Sequence, residues 1–188
     1  DSKLFTIVPP GKRILLWREP AEIRVLMLNI AEKPEVPEDL VTPVNRVRPD
    51  LAGFSTVEQE KVGLLFHKGR FVRTLTPGFY GFWNAAGNSR IEIVDLRLQT
   101  LDIPGQEILT ADKVSIRVNI SAEFQVTDAV QAKQTLKDFN EHLYRTLQLA
   151  VRHTLGKRTL EQILAEKVDV DEAVASTVRQ EMQNYGVR

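Results

Sequence analysis

The order of patterns along this chain of 188 residues predicts an α+β fold, with strands first and helices after. Three observations predict it. The stretch 114–126, V-S-I-R-V-N-I-S-A-E-F-Q-V, is apolar at every even position and polar or small at every odd one. That alternation is the mark of one long strand with a buried and a wet face. Turn residues punctuate short apolar runs throughout the first half of the chain, whereas from Asp128 onward the apolar spacing becomes helical.

Taken in order, residues 5–18, F-T-I-V-P-P-G-K-R-I-L-L-W-R, echo residues 54–67, F-S-T-V-E-Q-E-K-V-G-L-L-F-H. Phe5 matches Phe54, Val8 matches Val57, Lys12 matches Lys61, Leu15 and Leu16 match Leu64 and Leu65, and Trp17 stands where Phe66 stands. The echo predicts a repeated strand–turn–strand unit. Between the copies, residues 31–53 carry Pro34, Pro37, Pro43 and Pro49 among acidic residues. Proline removes donors from helix and sheet alike, so an extended linker is expected there. Residues 1–53 are therefore taken as an N-terminal β unit and linker, and 54–188 as the main domain, β-rich over 54–110 and completed by the long strand and helices of 111–188.

Arg70–Leu75 and Arg90–Leu98 are expected strands around a turn-rich P-G-F-Y-G-F-W, 77–83. The long strand follows, and at roughly 3.3 Å per residue it would reach about 43 Å. Leu143, Leu147, Ala150, Val151 and Leu155 then share one helical stripe, with Arg145, Gln148 and Arg152 opposite. Gly156 suits a left-handed helix stop. Thr159 and Gln162 have the spacing of a capping box for a short helix. Asp169 and Glu172 suit the start of a last helix ending near Gly186.

Composition narrows function. A chain that is 43% hydrophobic and 27% charged belongs to the globular class. Formal charge is zero, so nothing draws the whole chain to nucleic acid, and no cysteine offers thiolate chemistry. His142 and His153, on one helix, would lie about 16 Å apart along the axis and cannot share a metal. P-P-G-K-R, 9–13, lacks the rest of a phosphate loop, and no serine-nucleophile or zinc-binding motif is present. Asp169, Asp171 and Glu172 are explained by a helix start, and Arg145, Arg152, Lys157 and Arg158 by a helix end. Catalytic, cofactor and metal sites are therefore expected to be absent.

One segment is asymmetric. From Lys61 to Ile91 there is no acidic residue, while Lys61, Lys68, Arg70, Arg73 and Arg90 fall within it together with six aromatics. Cations interleaved with aromatics suit an anionic bilayer surface. Arg70, Arg73, Phe79, Tyr80, Phe82 and Trp83 are the candidate membrane or partner contact. Packing of the same aromatics inside a hairpin core is the competing reading.

The blocks G-L-L-F-H-K-G-R-F-V-R-T-L-T-P-G-F-Y-G-F-W (63–83), D-L-R-L-Q-T-L-D-I-P-G-Q-E-I-L-T-A-D-K-V-S (95–115) and H-T-L-G-K-R-T-L-E-Q-I-L (153–164) occur in the order found in the stomatin–prohibitin–flotillin (SPFH, or Band 7) superfamily. From about Phe54 to Arg188 the chain resembles that family, most closely bacterial stomatin-like slipins. The resemblance implies a curved, mostly antiparallel sheet with packed helices, here preceded by the extra β-hairpin-like unit. It implies a non-enzymatic, membrane-associated scaffold that self-associates in its full-length form. Such scaffolds organise membrane microdomains or regulate membrane proteases or channels. The membrane-inserting segment and the coiled coil usual in the family lie outside this sequence, so this piece is expected to be soluble and at most a small oligomer. Membrane association is expected through the flanking segments or through peripheral contact with anionic lipid, on an unspecified side of the membrane. The alternative is a soluble protein-binding adaptor that uses a sheet edge or groove without touching lipid.

Overall fold

A computed structural model describes residues 4–17 and 22–188. The chain forms two compact units, residues 1–93 and 94–188.

The first unit begins with an excursion, not a hairpin. Residues 4–17 make the expected turn, with the Lys12 N–H donating to the Pro9 carbonyl at 3.1 Å, but form no strand. The echo of 54–67 is one of side chains only. Pro9 and Pro10 supply no N–H, and among the described residues no strand pairs with this stretch. Leu4, Ile7 and Ile30 pack on the core, whereas Leu15 and Trp17 stand in solvent.

The stretch read as an extended linker is partly helical. Helix α1 spans Glu38–Val47 despite Pro43 within it. Glu38 and Asp39 favour its N-terminus, and Val41 and Val44 bury one face. Just before it, Pro34–Val36 is extended and closes one edge of a strand: the Val36 N–H donates to the Gly81 carbonyl at 2.8 Å, and the Trp83 N–H to the Pro34 carbonyl at 2.9 Å.

Five strands follow: β1 (Ala52–Val57), β2 (Lys61–His67), β3 (Arg70–Leu75), β4 (Gly78–Trp83) and β5 (Ser89–Asp95). β1 and β4 form an antiparallel pair with Ala52 opposite Trp83 and Val57 opposite Gly78. β3, β2 and β5 form a second sheet in that order. The segment 77–83, read as turn-rich, is thus strand from Gly78 onward. Both faces of its second half are covered, which removes the alternation that marks a half-wet strand. Trp83 packs with Val36, Val41, Val44 and Ala52. Phe82 packs with Val57, Leu65 and Leu75. Gly81 leaves room between them, since a Cβ there would lie 3.0 Å from the Phe54 ring and 3.1 Å from Val36.

In the second unit, β6 (Gln99–Leu109) and β7 (Ser115–Phe124) form a long antiparallel ribbon. β7 is the strand that alternation predicts, about 33 Å long. Ile116, Val118, Ile120 and Ala122 are half-buried and Phe124 is buried, while the odd residues from Ser115 to Glu123 are exposed. Val114 departs from the expectation by lying outside the strand and exposed. Val126 is buried and bridges Val187. β6 accommodates Pro104 at a bulge, where register shifts between Ile103 and Gln106.

Helices α2 (Ala129–Thr135), α3 (Phe139–Gly156), α4 (Leu160–Ala165) and α5 (Lys167–Gln183) complete the unit. Asp128 and Asp138 cap α2 and α3 through their carboxylates. The stripe Leu143, Leu147, Ala150, Val151 and Leu155 is buried as expected. Thr159 and Gln162 make the expected capping box. Gly156 is not a left-handed stop. It is the last helical residue, and α3 ends on Lys157 in the right-handed conformation. The left-handed glycine at a helix end is Gly186, just after α5, at φ +67°. Its carbonyl accepts from the N–H groups of Thr127 and Asp128, and a Cβ there would lie 2.5 Å from the Asp128 carbonyl oxygen.

Candidate functional site

The six residues singled out from the acid-free segment do not form one surface. Phe82 and Trp83 are 6% and 7% exposed and belong to two different core clusters. Core packing, the competing reading, accounts for both of them. Tyr80 is half-buried, its hydroxyl donating to the Thr76 carbonyl at 2.8 Å. Phe79 is 37% exposed and stacks on Phe54 with ring centroids 5.8 Å apart. Arg73 is engaged by Glu35 through two hydrogen bonds of 2.8 and 3.3 Å. Those bonds raise its pKa above the ordinary arginine value. Arg70 is exposed at the start of β3.

The most exposed apolar side chains of the first unit lie elsewhere. Leu15 and Trp17 are 99% and 93% exposed, and Phe5, Val25, Leu26 and Met27 are also largely exposed. Residues 4–17 carry Lys12 and Arg13 and no acidic residue. Residues 22–28 carry Glu22 and Arg24, which pair with each other at 3.4 Å. The available signal is the run I-L-L-W next to K-R.

A second feature is an open cleft of about 580 Å³ between β1 and β5, which Gly53–Ser55 and Ser89–Ile91 help to line. Next to it the His67 ring nitrogen Nδ1 and the Ser89 hydroxyl are hydrogen-bonded at 2.9 Å. In the second unit, His142 on α3 faces Glu181 on α5 at 3.4 Å and stacks edge-on against Tyr185. Among the described residues, no three metal-ligating side chains come together. Nor is any described helix long and apolar enough to cross a membrane.

Residues 55–188 match the family described as SPFH domain / Band 7. The chain is 29% identical over 132 residues to a stomatin homolog of Pyrococcus horikoshii, covering 70% of this chain and 49% of that protein. It is 33% identical over 95 residues to stomatin-like protein 3 of Homo sapiens, covering 50% of this chain and 33% of that protein. A protein of Schizosaccharomyces pombe aligns at 26% identity over 190 residues, 99% of this chain and 52% of the relative. That alignment takes in the residues ahead of the family match. The chain spans about half the length of the archaeal and yeast relatives.

Proposed function

Since the chain belongs to the SPFH domain / Band 7 family, we propose that it serves as a non-enzymatic scaffold at an anionic bilayer surface, with its N-terminal apolar excursion as the lipid contact. The supporting observation is the exposure of Leu15 and Trp17 directly after Lys12 and Arg13, in a stretch with no acidic residue. Each apolar side chain of that size gains about 1.5–3 kcal/mol on leaving water. Each cation near anionic lipid adds about 1 kcal/mol. Tryptophan favours the headgroup level. In its full-length form the protein self-associates and organises membrane microdomains or regulates membrane proteases or channels, a reading supported by its similarity to stomatin homologs. A slipin-type protein would fit the same description.

The test is flotation with vesicles of phosphatidylcholine, with and without phosphatidylserine, comparing the native chain with a Leu15→Ser/Trp17→Ser variant. The native chain should float with the anionic vesicles and release as salt rises. The variant should lose at least tenfold in partition while its circular dichroism stays unchanged. Equal flotation of the two proteins would remove the excursion from the reading.

A further inference from the structure

Two strand edges of the first unit open onto one cleft. β5 is the outer strand of the β3–β2–β5 sheet, and β1 is paired only with β4. The direction of the β1 main chain follows from β4. The Gly81 carbonyl and the Trp83 N–H point away from β1, toward Val36 and Pro34. Even-numbered β4 residues therefore face β1, and Gly53 and Ser55, opposite Phe82 and Tyr80, direct their main-chain groups to β4. Phe54 and Thr56 then direct their N–H and carbonyl groups to the open edge. An edge of this kind is a template for another strand.

The charge of the cleft lining itself is one-sided. No Asp or Glu lines it. Arg90 does line it, though its charge is shared with Glu92 at 2.6 Å, and its guanidinium lies 5.4 Å over the Phe66 ring. Lys68, in the turn between β2 and β3, reaches across Gly87 of the cleft wall, where a Cβ would lie 2.8 Å from the lysine Cε. The Lys68 main chain is fixed by donation to the Asn88 carbonyl at 2.9 Å. Its ammonium makes no ion pair among the described residues. The acid-free segment noted in the sequence thus supplies one wall of this cleft.

We propose that the cleft is a docking site for an acidic polypeptide segment in extended conformation, added as a strand along the open edge of β1. The edge supplies sequence-independent main-chain hydrogen bonds, and Lys68 supplies the preference for an acidic partner. Docking here does not depend on the lipid contact of the N-terminal excursion.

Fluorescence anisotropy with short labelled peptides tests this directly. The probes are an alternating Glu-Val peptide, its Lys-Val counterpart, and two versions of the acidic peptide N-methylated on alternate residues. The acidic peptide should bind at least tenfold more tightly than the basic one. N-methylation of at least one alternate set should abolish binding, because it removes the donors that face β1. Lys68→Glu, checked for fold by circular dichroism, should reverse the preference between the two peptides. Equal affinity for both peptides, or retained binding with both N-methylated probes, would overturn the proposal. So would failure of the acidic peptide to bind at millimolar concentration. Anionic vesicles provide the last control: if Lys68→Glu releases the protein from vesicles while the acidic peptide does not bind, the cleft serves lipid and the peptide proposal fails.

Discussion

Residues 12–17, K-R-I-L-L-W, and 78–83, G-F-Y-G-F-W, are both rich in apolar side chains and end in tryptophan. The structure treats them oppositely. Trp83 lies in a core and Trp17 stands in solvent. Local hydrophobicity does not separate them. What separates them is whether the main chain has partners. β4 has β1 on one side and Pro34–Val36 on the other, so its side chains are carried into packed layers. Residues 12–17 follow two prolines and, among the described residues, pair with no strand, and their apolar side chains are exposed. An apolar run is a candidate surface only after its hydrogen bonds have been accounted for.

The largest effect should come from the two tryptophans. Trp83→Ala empties a site walled by Val36, Val41, Val44 and Ala52 and should cost about 3–5 kcal/mol in a urea melt. Trp17→Ala touches no packed neighbour and should change stability by less than about 0.5 kcal/mol. Similar losses from both would erase the contrast and mean that the excursion is packed in solution.

The next effect tests why β4 can be covered on both faces. Gly81 lets Phe54 and Val36 close over the strand. Gly81→Ala should force both aside and cost about 1–3 kcal/mol as an overpacked site. A neutral result in thermal melts would show that these neighbours move freely, and that the pairing of β4 tolerates a looser core.

Much of the fold was legible where one periodicity acts alone. β7 shows a clean period of two because only one of its faces is covered. The α3 stripe and the Thr159–Gln162 cap are equally local signals. The failures occur where two constraints overlap. α1 carries Val41 and Val44 at helical spacing, but the prolines around it masked that spacing. β4 is covered on both sides and so lost its alternation. β6 contains Pro104, which a bulge accommodates. The burial of Phe82 and Trp83 was illegible for the same reason. Composition marks Phe82 and Trp83 and also Leu15 and Trp17, and only long-range pairing decides which pair remains outside.

A smaller effect is expected at the strap that makes this difference. Glu35 sits in the Pro34–Val36 segment and holds Arg73 of β3 through two hydrogen bonds. Both side chains are partly exposed, so the pair is screened, and Glu35→Gln should cost no more than about 1 kcal/mol. Amide exchange at Val36 and Trp83 is the sharper measurement, because their N–H groups bond across the strap. Faster exchange at these two positions alone would tie the strap to the burial of β4. Unchanged exchange would assign the burial of β4 to side-chain packing.

The smallest effect concerns a polar counterpart in the second unit. Asp112 is exposed, yet its position is held by partners: its carboxylate accepts from the Thr110 hydroxyl and from the Leu160 N–H at the start of α4. The Thr110 bond, helped by main-chain N–H groups, holds its pKa below the ordinary aspartate value. A carboxyl with a lowered folded pKa stabilises the fold at pH values above its unfolded pKa of about 3.9. That contribution fades as pH falls through the lower folded value. Native protein should therefore lose a small increment of melting temperature as pH falls below about 4 that Asp112→Asn lacks. The two proteins should differ most near neutral pH and converge in acid. A difference that persists unchanged into strong acid would assign the role of Asp112 to its shape and hydrogen-bonding capacity, not to its charge. Exposure alone would then say as little about Asp112 as hydrophobicity alone says about the two tryptophans.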